Sequence, residues 1–300
     1  MTSITVSSGG EPIGASPAGA GLDVDCSNLV HLYHLEGTEV IALRGVDLAI
    51  DAGEMVALLG PSGAGKSTLL RMLGGLLRPS AGQVLVGGRD VGRMTPVALR
   101  SYRATDVGIV LQDPLANLLP YATVRQNVVF AGRGARSAAR LSTPAPPQPD
   151  ELLELLGISS LSGRKVGTLS GGEQQRAALA VGAAGGGSLL LVDEPTSQLD
   201  HAQRQEVIDA LHALHAGIGA TMVMVTHDPA VAASVPRTVT IRDGRVGAEG
   251  RKGGQYAVVG RDGTLQLPPE MLDRFPPQTL FRLSARADGI ELKLADPEGD

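Results

Sequence analysis

Apolar residues in this chain come in short dense runs separated by glycine, proline and charged positions. Residues 189–192 and 222–225 are apolar throughout, as expected of strands buried on both faces of a parallel sheet, and residues 55–59 form another strand. Residues 43–50 form a preceding strand, set off by the turn Asp51-Ala52-Gly53-Glu54, and residues 107–111 and 84–86 are further strand candidates. Helical patterns cover about 67–77, 150–156, 171–184 and 202–216, the first of them ended by Gly74, Gly75, Pro79 and Gly82. Strands alternating with helices predict an α/β domain with a mostly parallel sheet and helices on both sides.

The ends of the chain break this rhythm. Residues 1–21 are mainly Gly, Ser, Ala and Pro and read as a disordered tail without the basic start and apolar stretch of a signal peptide. Residues 132–149 read as a stiff exposed loop, closing in Thr143-Pro144-Ala145-Pro146-Pro147-Gln148-Pro149. In the last fifty residues, 256–260, 264–267, 280–285 and 290–294 resemble short strands, Asp262-Gly263 and Asp288-Gly289 supply hairpin turns, and 268–275 reads as a short helix. The division expected is a tail at 1–21, one large α/β domain at 22–250 and a small β-rich module at 251–300.

Composition narrows the function classes. The 300 residues are 43% hydrophobic but only 2% aromatic, so the core is aliphatic and base stacking is an unsuitable trade. A net charge of -5 lacks the basic footprint of a nucleic-acid binder. The single cysteine, Cys26, excludes a disulfide framework within the chain. No apolar run approaches the roughly 20 residues of a membrane helix, so membrane work would need a second chain to do the spanning.

Gly60-Pro61-Ser62-Gly63-Ala64-Gly65-Lys66-Ser67-Thr68 satisfies the P-loop pattern, after a strand and opening a helix. The glycines allow successive N–H groups to face phosphate oxygens, and the helix terminus adds partial positive charge. Lys66 is placed to reach the β- and γ-phosphates, and the Ser67 hydroxyl to ligate Mg²⁺. The apolar strand 189–192 ends in Asp193 and Glu194. Beside a P-loop, Asp193 is the candidate for the Mg²⁺ shell and Glu194 for orienting or deprotonating the attacking water.

About twenty residues earlier stands Leu169-Ser170-Gly171-Gly172-Glu173-Gln174-Gln175-Arg176. Ser170 and Glu173 have the spacing of a capping box, and Ser-Gly-Gly leaves bare N–H groups at a helix start, a second anion site. This stretch resembles the ABC signature motif, and the chain resembles ABC-transporter ATPase subunits over about residues 22–250. The resemblance implies a P-loop NTPase fold of ABC type, with a mostly parallel core sheet, an antiparallel β subdomain and a helical subdomain, here followed by the β-rich appendage. It also implies roles for further residues. Gln112 matches the Q-loop glutamine that senses Mg²⁺ and contacts the membrane partner. Ser197-Gln198-Leu199-Asp200 matches the D-loop, His227 the switch histidine at the γ-phosphate, and Tyr33 the aromatic that stacks on adenine.

By the same resemblance, two subunits pack head to tail, so that Gly60, Ser62, Gly63, Ala64, Gly65, Lys66, Ser67 and Thr68 of one and Ser170, Gly171 and Gly172 of the other enclose each ATP. The implied activity is ATP hydrolysis coupled to transport or mechanical work, with Mg²⁺, through a separate integral-membrane permease at the cytoplasmic face of the membrane. The stretch from Gln112 through Asn117-Leu118-Leu119-Pro120 and Thr123-Val124 to Asn127-Val128 is similar to the lipoprotein-release, macrolide-export and cell-division group. Amino-acid importers, which share much of this sequence, and soluble ABC ATPases are the alternatives. Departures from the family pattern are Val181 in place of a second arginine, the glycine-rich run 182–187, the Pro-rich loop and Ser197-Gln198; the glycines are expected to weaken the helix end. Residues 260–272 look faintly like swapped-hairpin regulators, which favours a dimerisation or regulatory appendage.

Overall fold

The computed structural model describes residues 4–7, 21–35, 38–134, 147–251, 254–259, 263–265, 267, 271, 274–276, 279–286 and 289–294. The chain divides into two compact units, one of Ala18–Gln266 and one of Met1–Pro17 with Leu267–Asp300.

The larger unit opens with β2 (Val24–Leu35) and β3 (Thr38–Ile50), an antiparallel pair that β5 (Ala81–Val86) and β6 (Arg89–Asp90) extend to a four-stranded sheet, in the order β3-β2-β5-β6. The second sheet has seven strands. Its parallel part consists of β10 (Arg237–Arg242), β4 (Met55–Leu59), β9 (Thr221–Val225), β8 (Leu189–Asp193) and β7 (Val107–Val110), in that order. Strands β11 (Arg245–Arg251) and β12 (Gly254–Ala257) add to the β10 side by antiparallel hairpins.

Side chains alternate across the central strands and divide the core in two. Met55, Leu190, Val192, Met222 and Met224 join one cluster, and Val56, Leu58, Leu189, Leu191, Val223 and Val225 the other. The second cluster lies among α1 (Lys66–Leu73), the antiparallel sheet and Tyr102 of α2 (Pro96–Thr105). The first lies among α3 (Val124–Ala131), α4 (Pro149–Leu155), α5 (Gly171–Ala183) and α6 (His201–Ile218). The short α7 (Pro229–Ser234) leads into β10. Both faces of the parallel sheet are covered, which accounts for the uninterrupted apolar runs in β4, β8 and β9.

Two expectations change. Strand β12 pairs with β11, Ala248 opposite Ala257, so this segment belongs to the large sheet and not to a module beginning at residue 251. A hairpin at a sheet edge looks the same in sequence whether it starts a new unit or extends an old one. The tail expected at residues 1–21 contains a strand, β1 (Ile4–Ser7), which pairs antiparallel with β14 (Gly289–Leu294). With β13 (Phe281–Arg286) these strands form the three-stranded sheet of the smaller unit. Helix α5 runs to Ala183, close to the end expected from its pattern. A Cβ on Gly182 would sit 2.6 Å from Val110 Cγ2, so the missing side chain lets the helix lie close on β7. Most of the Pro-rich loop and of the expected helix at 268–275 lies outside the described residues.

Candidate functional site

Strand β4 delivers the P-loop to the edge of the sheet, and α1 starts at Lys66. Gly60 has φ 138°, and a Cβ there would lie 2.0 Å from the Ile241 carbonyl oxygen, so only glycine fits where the loop leaves the strand. Lys66 is buried and folds back over the loop, its Nζ donating to the carbonyls of Gly60 at 2.7 Å and Pro61 at 2.9 Å. Burial pushes its ammonium below the ordinary lysine range, against the pull of Glu194 and Asp193. Ser62 and Gly63 are exposed on the loop's outer side, and Ala64 is buried.

Asp193 ends β8 directly beside this helix start. The Ser67 hydroxyl donates to Asp193 Oδ1 at 3.2 Å. Burial raises the Asp193 carboxyl above its usual range; the Ser67 bond opposes this and neighbouring Glu194 adds to it. A hydroxyl and a partly desolvated carboxylate side by side are a hard-oxygen pair, next to a cationic loop, and they fit an octahedral cation that keeps water and phosphate oxygens as its other ligands. Among the described residues no group of three or more His, Cys, Asp or Glu gathers into a dedicated metal cage.

Glu194 follows at φ 47°, a left-handed conformation uncommon for a side chain of this kind. Its N–H donates to the Val225 carbonyl at 2.8 Å, which fixes it to the end of β9. Its Oε2 lies 2.8 Å from His227 Nδ1 and accepts from the His227 backbone N–H at 3.3 Å. Ser197 Oγ donates to the Glu194 carbonyl at 3.2 Å, and Gln112 Nε2 donates to Ser197 Oγ at 3.5 Å. Lys66, Ser67, Asp193, Glu194, His227 and Gln112, chosen from sequence, therefore form one constellation.

Tyr33 stands at the side of it. Its hydroxyl is 3.1 Å from Thr68 Oγ1, and its ring meets His31 edge-on at 4.6 Å. The Ser170 turn is a capping box as expected: Ser170 Oγ accepts from the Glu173 N–H at 3.3 Å and Glu173 Oε2 from the Ser170 N–H at 2.7 Å. Ser170 and Gly171 are exposed, while Gly172 is buried against Gln203 of α6. Among the described residues no hydrogen bond joins this turn to the P-loop of the same chain. Asp200 uses its carboxylate locally, accepting from the Gln203 N–H at 2.9 Å to cap α6.

Sequence reasoning left out the residues that hold these groups. Asn117 Nδ2 donates to the Ile109 carbonyl at 2.7 Å and its Oδ1 accepts from the Leu111 N–H at 2.8 Å, which fixes the backbone just before Gln112. Buried Asp228 accepts from Thr196 Oγ1 at 2.8 Å and pairs with Arg204 Nε at 2.9 Å. It thereby ties the segment after Glu194 to the segment after His227. The Asp228-Pro229 pair, an N-cap followed by proline at the first helical position, was the available signal.

A family model described as ABC transporter matches residues 43–197, a span that runs from within β3 to Ser197. The chain belongs to the ABC transporter family. It is 42% identical over 226 residues to the lipoprotein-releasing system ATP-binding protein LolD of Geobacter metallireducens, covering 75% of this chain and 98% of that one. It is 36% identical over 227 residues to the macrolide export ATP-binding/permease protein MacB of Neisseria meningitidis serogroup A, covering 74% of this chain. It spans only 34% of that relative's length. In fold it resembles the ATP-binding cassette MJ0796, solved as a dimer in a post-hydrolysis state bound to ADP and Pi, with a TM-score of 0.66 and 31% identity over 77% of this chain and 99% of that one. The chain is therefore an ABC cassette with a P-loop NTPase fold.

Proposed function

We propose that this ABC cassette hydrolyses ATP as a head-to-tail homodimer and drives a separate integral-membrane permease from the cytoplasmic face of the membrane. The observation that carries the reading is the Glu194 carboxylate, locked by His227 at 2.8 Å and set beside the Ser67–Asp193 pair and Lys66. Lys66 leaves the Gly60 and Pro61 carbonyls to bind phosphate oxygens, the backbone N–H groups of the loop bind the others, and Tyr33 offers its ring to adenine. Ser67 and Asp193, with Gln112, would hold Mg²⁺, which would offset charge on the phosphate oxygens. Glu194 orients the attacking water and takes its proton, with His227 keeping the carboxylate in place. Ser170, Gly171, Gly172 and Asp200 complete the site of the second protomer.

A further feature supports the membrane partner. A cleft of about 460 Å³ opens beside α3, lined by Leu119, Val129 and Phe130 with Arg125 and Ser162, a surface suited to a short amphipathic helix of a permease. Similarity to LolD and MacB supports a partner of the kind that serves lipoprotein release or macrolide export.

The test is Glu194→Gln. It is expected to bind ATP, lose about 10²–10⁴-fold of phosphate release and accumulate an ATP-dependent dimer in light scattering. Unchanged turnover would remove Glu194 from this role.

A further inference from the structure

A cavity of about 140 Å³ lies between three parts of the site. From α5 it is lined by Gly171, Gln174 and Gln175, positions i, i+3 and i+4 that share one helix face. Gln112 lines it from the segment after β7, and Glu194 and Ser197 from the segment after β8.

The two glutamines use their amides differently. Gln174 Nε2 donates to the carbonyls of Val166 at 3.4 Å and Leu169 at 3.2 Å, which secures the loop leading into the helix. Gln175 is only 3% exposed, and its Nε2 has no hydrogen-bond partner. A buried amide N–H without an acceptor is costly, and proteins satisfy such groups with ordered water where a polar space is at hand. This space is well above the roughly 10–15 Å³ that one water requires, and Gln112, Glu194 and Ser197 offer further polar partners.

We propose that the cavity is a built water site and that Gln175 is a positioning residue, donating through Nε2 to water that links α5 to Glu194 and Gln112. The inference rests on the reading of Glu194 as the group that orients the attacking water. Helix α5 begins at the Ser170 turn, which meets nucleotide across the proposed dimer. Bridging water makes the orientation of that helix felt at Glu194 within the same chain, where no direct side-chain bond joins the two. A bridge of this kind can re-form as the helix shifts, which a rigid ion pair cannot do without breaking.

The experiment compares two variants of the full chain. Gln175→Met keeps the volume and removes the donor; its kcat is expected to fall at least about ten-fold with KM for ATP within about two-fold of the parent. Gln175→Asn keeps the donor, and the cavity has room for one more water to span the missing methylene; its kcat is expected within about three-fold of the parent. A packing role reverses this order, because Met fills the site better than Asn. Parental kcat in Gln175→Met, or Gln175→Asn no better than Gln175→Met, overturns the proposal. Failure of the parent chain to hydrolyse ATP overturns the reading of Glu194 instead. In that case, or if the variants do not fold, a high-resolution crystal structure of the full chain decides: water within hydrogen-bond distance of Gln175 Nε2 supports the proposal, and a dry cavity ends it.

Discussion

His227 grips Glu194 twice through one oxygen, the ring Nδ1 at 2.8 Å and the backbone N–H at 3.3 Å from Oε2. The backbone bond survives any substitution of the ring, so the two contributions can be separated. His227→Ala is expected to bind ATP within a few-fold of the parent while phosphate release falls by about 10²-fold, the scale of a misplaced general base. Because the ring is largely exposed, stability is expected to change by no more than about 0.5 kcal/mol. Nucleotide titration, steady-state phosphate release and a thermal melt on the same preparation check all three.

Elements whose cause is local were legible in the sequence. The apolar runs of β4, β8 and β9, the glycine loop and the Ser170–Glu173 capping box each depend on residues within a few positions of one another, and each appears where the pattern put it. The elements missed or misplaced depend on distant partners. Strand β1 exists by pairing with β14 at the other end of the chain, and β12 by the accident of which sheet its hairpin extends. Within the site, Asn117 and Asp228 carry no catalytic signature, because their work is to hold other residues' backbones and side chains. A glycine-rich helix end reads as weak by propensity, and only the approach of α5 to β7 shows why Gly182 fits there.

Thr196 tests the brace behind the site. Its hydroxyl donates to the buried Asp228 carboxylate at 2.8 Å, and Thr196→Val keeps the shape while removing the donor. Bonds to buried charges are worth about 1.5–3 kcal/mol, so a loss of that order in unfolding free energy is expected. Slower turnover is expected with it, since Asp228 follows His227 directly and Thr196 is two residues from Glu194. Thr196→Ser restores most of both. Denaturant melts and ATPase rates across the three proteins provide the check.

Lys66 gives the nucleotide-free protein a pH signature. Burial lowers its folded pKa below the ordinary value of 10.5, so between the two values the unfolded chain holds more protons than the folded one. Stability must then rise with pH across the alkaline window that ends near 10.5. Lys66→Met removes this rise, because no ammonium has to be desolvated, and it removes ATP binding as well. Urea melts of both proteins at several pH values up to that limit, without nucleotide, should show the parent gaining on the variant as the pH climbs. Parallel curves would mean that Lys66 is as well solvated folded as unfolded.

The shared site makes the sharpest demand on Ser170. The turn is exposed, its capping box is internally complete, and among the described residues no hydrogen bond ties it to the P-loop of its own chain. A bulky cation there should leave the lone subunit's nucleotide pocket intact and block only the closed dimer. Ser170→Arg is therefore expected to bind ATP like the parent when monomeric, to lose about 0.5–2 kcal/mol of stability with its cap, and to hydrolyse ATP at a small fraction of the parental rate. Mixing it with Glu194→Gln sharpens the result. In a mixed dimer the two defects fall either on one composite site or one on each, depending on which protomer supplies which half. On the proposed head-to-tail arrangement Ser170 serves the partner's P-loop and Glu194 its own, so the site built on the Ser170→Arg protomer's P-loop keeps its own Glu194 and receives an intact Ser170, while the other site carries both defects. With one Arg at the interface instead of two, and one site intact, mixing is expected to recover part of the ATP hydrolysis that either variant alone lacks. If Ser170→Arg instead abolishes ATP binding by the monomer, the turn acts within its own chain and the head-to-tail arrangement is wrong.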